Sequence, residues 1–309
     1  MEQGDTSVAQ WLVLTGVIAV LLAIDLLVVR SRGGEMSLRG AALASAFWVG
    51  VALLFFVATL LTQGTVAGEA FLAGYLIEKS LSLDNVFVFL LILNSFAIPS
   101  RQRHRLLTIG IVVALGMRAV FIVVGSAALA AFGWISIPFA LIVLWTGIRL
   151  WKHRHDHQGE QELVDGIKRR LSITQDASET KLMTRKKGAR VLTPAGGALL
   201  AILLADLLFA VDSVPAILAI TTDTYIVWAA NAFALMGLRP LFFLVADLVE
   251  RLYYLKAALA LLLIFVGLKL GLSEVIGKVP PSISLGVIGS ILAVGVIASL
   301  LRNRRLAGP

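Results

Sequence analysis

The sequence predicts an all-α, polytopic membrane protein of about nine transmembrane helices, and three observations carry that reading. Hydrophobic residues make up 59% of the chain and its mean hydropathy is +0.91, against roughly 45–50% apolar content in a soluble domain. Apolar runs close to the roughly 20 residues that cross a bilayer recur nine times. Basic residues gather at every second boundary between those runs.

The runs lie at approximately 9–29, 41–62, 70–96, 106–132, 134–151, 195–221, 225–248, 253–272 and 283–301. The first reads as a span rather than a signal peptide, because its flank from Met1 to Gln10 is acidic and its apolar stretch is long and holds Asp25. Arg30, Arg32 and Arg39 follow the first run, and Arg101, Arg103 and Arg105 the third. A Lys/Arg-rich loop follows the fifth, Arg251 and Lys256 the seventh, and Arg302, Arg304 and Arg305 the last. The loops TQGTVAGE, FGWIS and TTDT have no Lys or Arg, and SEVIGKVPPS has only Lys278. The positive-inside rule then places the N-terminus outside and the C-terminus in the cytoplasm, in the inner (plasma) membrane. Trp11, Trp134, Tyr225 and Trp228 fall at outer boundaries, and Trp151, Tyr253 and Tyr254 at inner ones, as an aromatic belt requires. The net charge of +8 follows from this bias and leaves nucleic acid no part. The absence of cysteine excludes disulfides and thiolate ligands.

The polar segment 152–193 reads as a cytoplasmic linker with room for a short helix. His153, His155 and His157 alternate in it, but no second ligand cluster accompanies them, so a solvated tether is the reading preferred over a metal sensor.

The flanks of this linker repeat. Glu78 and Asp84 lie six apart in the third run, and Asp206 and Asp212 six apart in the sixth. GMRAVFIVV matches GLRPLFFLV, aligning Arg118 with Arg239, and TGIRL matches VGLKL, aligning Arg149 with Lys269. Each copy holds three spans, an odd number, so the second copy crosses in the opposite sense. Inverted repeats of this kind belong to secondary transporters, with the substrate site at the midplane between the copies. The expected organisation is two N-terminal spans in 1–69, repeat A in 70–151, the linker in 152–193, an inverted repeat B in 194–272, and a C-terminal span with a basic tail in 273–309.

Charges at the bilayer centre cost about 2.5–3.5 kcal/mol each even on a lenient scale, so Glu78, Asp84, Asp206 and Asp212 need a reason. Residues six apart on a helix differ by about 9 Å of rise and about 120° of rotation. A site using all four acids therefore needs the third and sixth spans to cross, with local unwinding. Pro215 offers a cause for unwinding, since it leaves the Val211 carbonyl, next to Asp212, without its helical donor. With Asn85 and Ser213 beside the acids, the ligand inventory is oxygen only, with no His and no Cys, which favours Mg, Ca or Mn over Zn or Cu. Lys79, Arg118 and Arg239 are the charge partners at hand. A purely structural role would have these three bases pair with the four acids, leaving one carboxylate uncompensated. Asp25 reads either as a packing hydrogen-bonder or as a relay residue, and Asp247 and Glu250 as solvated or paired with Arg251.

EKSLSLDNVFVF, DLLFAVDSVPAILAIT, NAFALMGLRPLFFL and ERLYYLKAALALLLIFVGLKL resemble the signature segments of the TerC family, over about residues 40–300. The resemblance implies kinship with the LysE type of amino-acid and metal exporters, a manganese export function by proton exchange or membrane potential, and no enzymatic activity or cofactor. The family's acidic positions fall on Glu78, Asp84, Asp206 and Asp212, with Asn85 and Ser213 beside them. Relatives often carry a Glu where this chain has Leu203, which implies a smaller ligand set. The expected partners are a divalent metal ion, protons and the lipid bilayer. The competing reading is an assembly or secretion accessory factor that contacts other membrane or secretion proteins and whose buried charges are structural. Intramembrane aspartyl proteolysis lacks its YD and GxGD motifs, and tellurite, an anion, would meet clustered carboxylates.

Overall fold

The structure, a computed structural model, describes residues 7–31, 37–153, 158–170, 181–186, 189–248, 252–277 and 279–306. It is built from α1 (Val8–Ser31), α2 (Leu38–Gln63), α3 (Thr65–Ser95), α4 (Ser100–Ala131), α5 (Ser136–Lys152), α6 (Gln158–Arg170), a hairpin of β1 (Met183–Lys186) and β2 (Ala189–Leu192), α7 (Pro194–Leu218), α8 (Thr224–Leu235), α9 (Leu238–Leu248), α10 (Leu255–Ile276) and α11 (Pro281–Leu306). Every expected apolar run falls on a helix. Among the described residues seven helices are long and apolar enough to cross a membrane, and the bent pair α8 and α9, taken as one span, makes an eighth. The chain is thus a multi-pass, all-α membrane protein. The remaining long helix, α3, has 31 residues and carries Glu69, Glu78, Lys79 and Asp84.

Burial sorts the helices into a core and a rim. α1, α2 and α11 keep large apolar side chains exposed, including Leu54, Leu61, Val294 and Ile297, as a lipid-facing rim requires. α3, α7 and α8 form the centre, where Phe71, Ile77, Ile202, Ile217 and Val227 are fully buried. Side-chain caps fix two of the central helices: Thr193 Oγ1 accepts from Gly196 N at the start of α7, and Asp223 Oδ1 accepts from Tyr225 N and Ile226 N at the start of α8. α3 packs against α8 and α7, α4 packs against α7 and α8, and α5 lies along α10.

The break falls elsewhere than the sequence suggested. α7 runs as an unbroken helix through Pro215, which sits within one turn of its end, and α3 is continuous past Glu78 and Asp84. The expected span 225–248 is instead two helices bent by 40°. Pro240 has no amide hydrogen for the Met236 carbonyl, and Gly237 takes a left-handed φ of 85° that favours glycine. A Cβ at Gly237 would lie 2.7 Å from Trp48 Cβ, so close packing of α2 reinforces the break.

The linker departs from a solvated tether. α6 buries Val164 and packs against α3 and α7, and Lys168 Nζ donates to the Ser95 carbonyl at the end of α3 (2.5 Å). The β1–β2 hairpin pairs Met183 with Leu192 and adds the two strands to the otherwise helical chain. His153 is described, with Nδ1 2.9 Å from the Arg149 carbonyl. His155, His157, Glu250 and Arg251, and the side chain of Asp247, lie outside the described residues.

Helices α5 and α10 approach most closely at two glycines. A Cβ on Gly147 would meet the Ile264 backbone nitrogen at 2.9 Å, and one on Gly267 would meet the Leu144 backbone nitrogen at 2.9 Å. Backbone cannot yield as a flexible side chain does, so Gly147→Val and Gly267→Val should each cost about 1–3 kcal/mol. Thermal unfolding in detergent should show clear losses for both, while Gly116→Ala, with nothing within 4 Å of its Cβ, should melt like the parent. Parental melting of both valine variants would refute the packing argument.

Candidate cation site

The polar residues of α3 follow helical spacing. Tyr75, Glu78, Ser82 and Asn85 are separated by three, four and three residues, which places them on one face along about 15 Å of helix. Asp206 and Ser213 on α7 are seven apart and share a face in the same way. Residues seven apart return to within about 20° of each other, whereas residues six apart diverge by about 120°. The chain therefore converges on the pairs Glu78/Asn85 and Asp206/Ser213, and not on the six-apart pairs of acids.

What they converge on is Arg118 of α4, whose side chain is 0% exposed. Its Nη1 bonds Glu78 Oε1 and donates to Ser213 Oγ at 3.3 Å. Its Nη2 and Nε form a fork on Asp206, with Nη2 to Oδ1 at 2.9 Å and Nε to Oδ2 at 3.3 Å. In the amide orientation that satisfies both of its polar atoms, Asn85 accepts from Arg118 Nη2 at 3.3 Å and donates to the Leu81 carbonyl at 3.1 Å. Four of the six expected metal residues thus surround one guanidinium. A planar fork with five donors is suited to this task where a lysine would make only point contacts.

The other expected residues lie apart. Asp212 is half-buried and accepts from Thr146 Oγ1 of α5 at 2.9 Å, and Asp84 is half-buried on α3 next to Asn85. Lys79 turns away from the acids and donates to the Ala234 carbonyl at the end of α8, 3.2 Å distant. Arg239 pairs with Asp25 of α1, with Nη2 to Oδ1 at 3.0 Å and further contacts to the Asp25 carbonyl. The expected partnership of Arg239 with the four acids is replaced by this one, and Asp25 is its charge partner. Among the described residues no three His, Asp or Glu side chains come together as a group able to hold a metal ion, because Arg118 stands between Glu78 and Asp206.

Several buried atoms are left over. Glu78 Oε2, Ser82 Oγ, Tyr75 Oη and both amide atoms of Asn231 are buried and, among the described residues, have no hydrogen-bond partner. Three of these four residues lie on the polar face of α3, and Asn231 belongs to α8, which packs against α3. Buried polar groups are nearly always satisfied, so such a stripe marks a place for water or an ion. Sequence reasoning missed Tyr75, Ser82, Thr146 and Asn231; the helical phase of Glu78 would have found the first two.

A model of the family described as "Integral membrane protein TerC family" matches residues 63–307. The chain belongs to the TerC family. Similar members include "Uncharacterized membrane protein STKORF319" of Myxococcus xanthus, 38% identical over 296 residues, covering 95% of this chain and 92% of that one. "Putative membrane-bound redox modulator Alx" of Escherichia coli K12 is 38% identical over 300 residues, covering 94% and 93%. "Uncharacterized membrane protein" of Rickettsia felis is 37% identical over 298 residues, covering 96% and 99%. No solved structure matches the chain.

The Asp25–Arg239 pair ties α1 to α9, and removing one member leaves the other without its partner. Asp25→Asn and Arg239→Gln should each lower the melting temperature, and the double variant should lose less than the two single losses combined. Strict additivity would show that the pair is not energetically coupled.

Proposed function

We propose that this TerC-family protein is a transporter that exports divalent metal ions, manganese foremost, across the inner membrane in exchange for protons. The observation that carries the reading is the buried set of oxygens from Glu78, Asp206, Ser213 and Asn85, all directed at the Arg118 guanidinium that α4 places between α3 and α7. Two carboxylates with two neutral oxygens suit a hard divalent ion. Asp84 and Asp212 are the sequence neighbours of Asn85 and Ser213 and offer further carboxylates. Their oxygens bind metal only when deprotonated, so metal leaving outward as protons enter would couple the two flows.

The helix contacts are those an inverted repeat would make. If α3, α4 and α5 repeat as α7, α8/α9 and α10, a two-fold relation exchanges the α3–α8 contact with the α4–α7 contact and maps α5–α10 onto itself; all three contacts are made. Gly147 meets Ile264 and Gly267 meets Leu144, a reciprocal pair under the TGIRL/VGLKL alignment. α3 would then be the ninth span, crossing as a helix shielded from lipid by its neighbours. The N-terminus would lie outside and the C-terminus in the cytoplasm.

The accessory-factor reading draws on the pairing of Arg118 with Glu78 and Asp206. A static network, however, would be expected to satisfy Glu78 Oε2 and to recruit Lys79, and neither is done. The redox term in the Alx name does not point to thiol chemistry here, since these 309 residues include no cysteine; control of a metal pool would be the available route to redox effects.

Purified protein in proteoliposomes should move radioactive manganese, faster with an opposing pH gradient. Asp206→Asn should abolish most of this transport. Asp84→Asn and Asp212→Asn, next in sequence to Asn85 and Ser213, should lower it by about 10–100-fold, the range for groups that support metal ligands. No manganese movement by folded parental protein would sink the exporter reading. Reporters fused at the N-terminus and within residues 158–170 should report opposite sides, and a shared side would remove the inverted repeat.

A further inference from the structure

Arg118 occupies the position a transported cation would take. Its guanidinium is bound by two carboxylates, a hydroxyl and an amide oxygen, with no other cationic side chain of the described residues bonded to them: the neighbouring Lys79 binds the Ala234 carbonyl instead. The cage also has spare capacity. Glu78 is 0% exposed, and its Oε2 has no hydrogen-bond partner among the described residues. Formal charge points the same way, since one guanidinium against two carboxylates leaves one negative charge uncompensated, and a divalent ion in its place leaves none. A monovalent ion would only match the charge of Arg118 while forfeiting its geometrically fixed donors, so the exchange favours divalent ions.

We propose that Arg118 is the tethered counter-cation of the empty carrier: its guanidinium fills the oxygen cage when no metal is bound, and the transported divalent ion displaces it. This rests on the exporter reading above and adds to it a built-in competitor. The buried acids need not face the low-dielectric centre as bare charges when the site is vacant. Competition also weakens metal binding, which helps release on the far side. Arg118 is on this account a positioning residue that sets affinity and valence selectivity, not a ligand.

The test uses full-length protein in detergent with manganese chloride as the only added metal. Free manganese, read from its electron paramagnetic resonance signal in water, gives the affinity, and thermal unfolding is followed with chelator and with manganese. Arg118→Gln removes the competitor but leaves the oxygens. It should bind manganese about tenfold more tightly or better, the scale of losing charge-assisted hydrogen bonds that compete with the metal. It should melt lower than the parent in chelator and regain that loss in manganese, a rescue that a merely structural arginine would not produce. Arg118→Lys keeps the charge but cannot form the fork, and its manganese affinity should lie between those of the parent and Arg118→Gln. If Arg118→Gln does not fold, Arg118→Lys decides: tighter binding than the parent supports the proposal. Parental or weaker manganese affinity in the folded variant overturns it. Failure of both the parent and the folded Arg118→Gln variant to bind manganese would instead remove the exporter reading on which the proposal stands.

Discussion

A single buried guanidinium holds three helices of this protein in one register. Arg118 of α4 reaches Glu78 and Asn85 on α3 and Asp206 and Ser213 on α7. A charge without partners in this environment would be costly, and the attraction between charges is strong there. Sliding α3 or α7 by one residue would rotate its polar pair by about 100° and strip the guanidinium of half its acceptors. The requirement explains why the converging residues are seven apart, and why α3 and α7 remain straight where the six-apart acids alone would have asked for unwinding. Glycines of α4 let α7 come close: a Cβ on Gly110 would lie 3.0 Å from Ile202, and one on Gly125 would lie 3.1 Å from Leu218.

The aligned basic residues keep unlike company. Arg118 binds acids of both motifs, whereas Arg239, its counterpart in the aligned sequence, binds Asp25 from α1. Lys269 likewise donates to Ser284 of α11, while its counterpart Arg149 lies over the Trp145 ring. α1 and α11, outside the aligned segments, thus take up Arg239 and Lys269. Among the described residues Arg239 has no equivalent of the Arg118 cage. The broken pair α8 and α9 lies beside it, with Lys79 of α3 bonded to the carbonyl of Ala234 where α8 ends, so the site helix and the break are mechanically joined.

Much of this was legible in the sequence, and the misses have physical causes. Apolar run length located every long helix, because the bilayer imposes that length directly. Residue type located Glu78, Asp206, Asn85 and Ser213, because charges in apolar runs are rare. Phase was harder: the regular six-residue spacing of the acids drew attention from the seven-residue spacing that shares a face. The break at Gly237 carried a local signal, a glycine followed three residues later by Pro240, which the length of the apolar run concealed. Partnership across the chain, Asp25 with Arg239 over 214 residues, left no local trace at all. The docking of α6 was hidden for a related reason, since Val164, Ile167 and Lys168 seat a short helix that is otherwise largely polar.

The central claim is that the oxygens now gathered on Arg118 are those that receive the transported ion. A structure of the full-length protein in lipid nanodiscs, determined by electron microscopy with manganese and with chelator, tests it directly. The account predicts a new density between Glu78, Asp206, Ser213 and Asn85 in the manganese sample, with the Arg118 guanidinium withdrawn from Asp206. Manganese bound elsewhere, or bound while Arg118 keeps its fork on Asp206, would contradict the account.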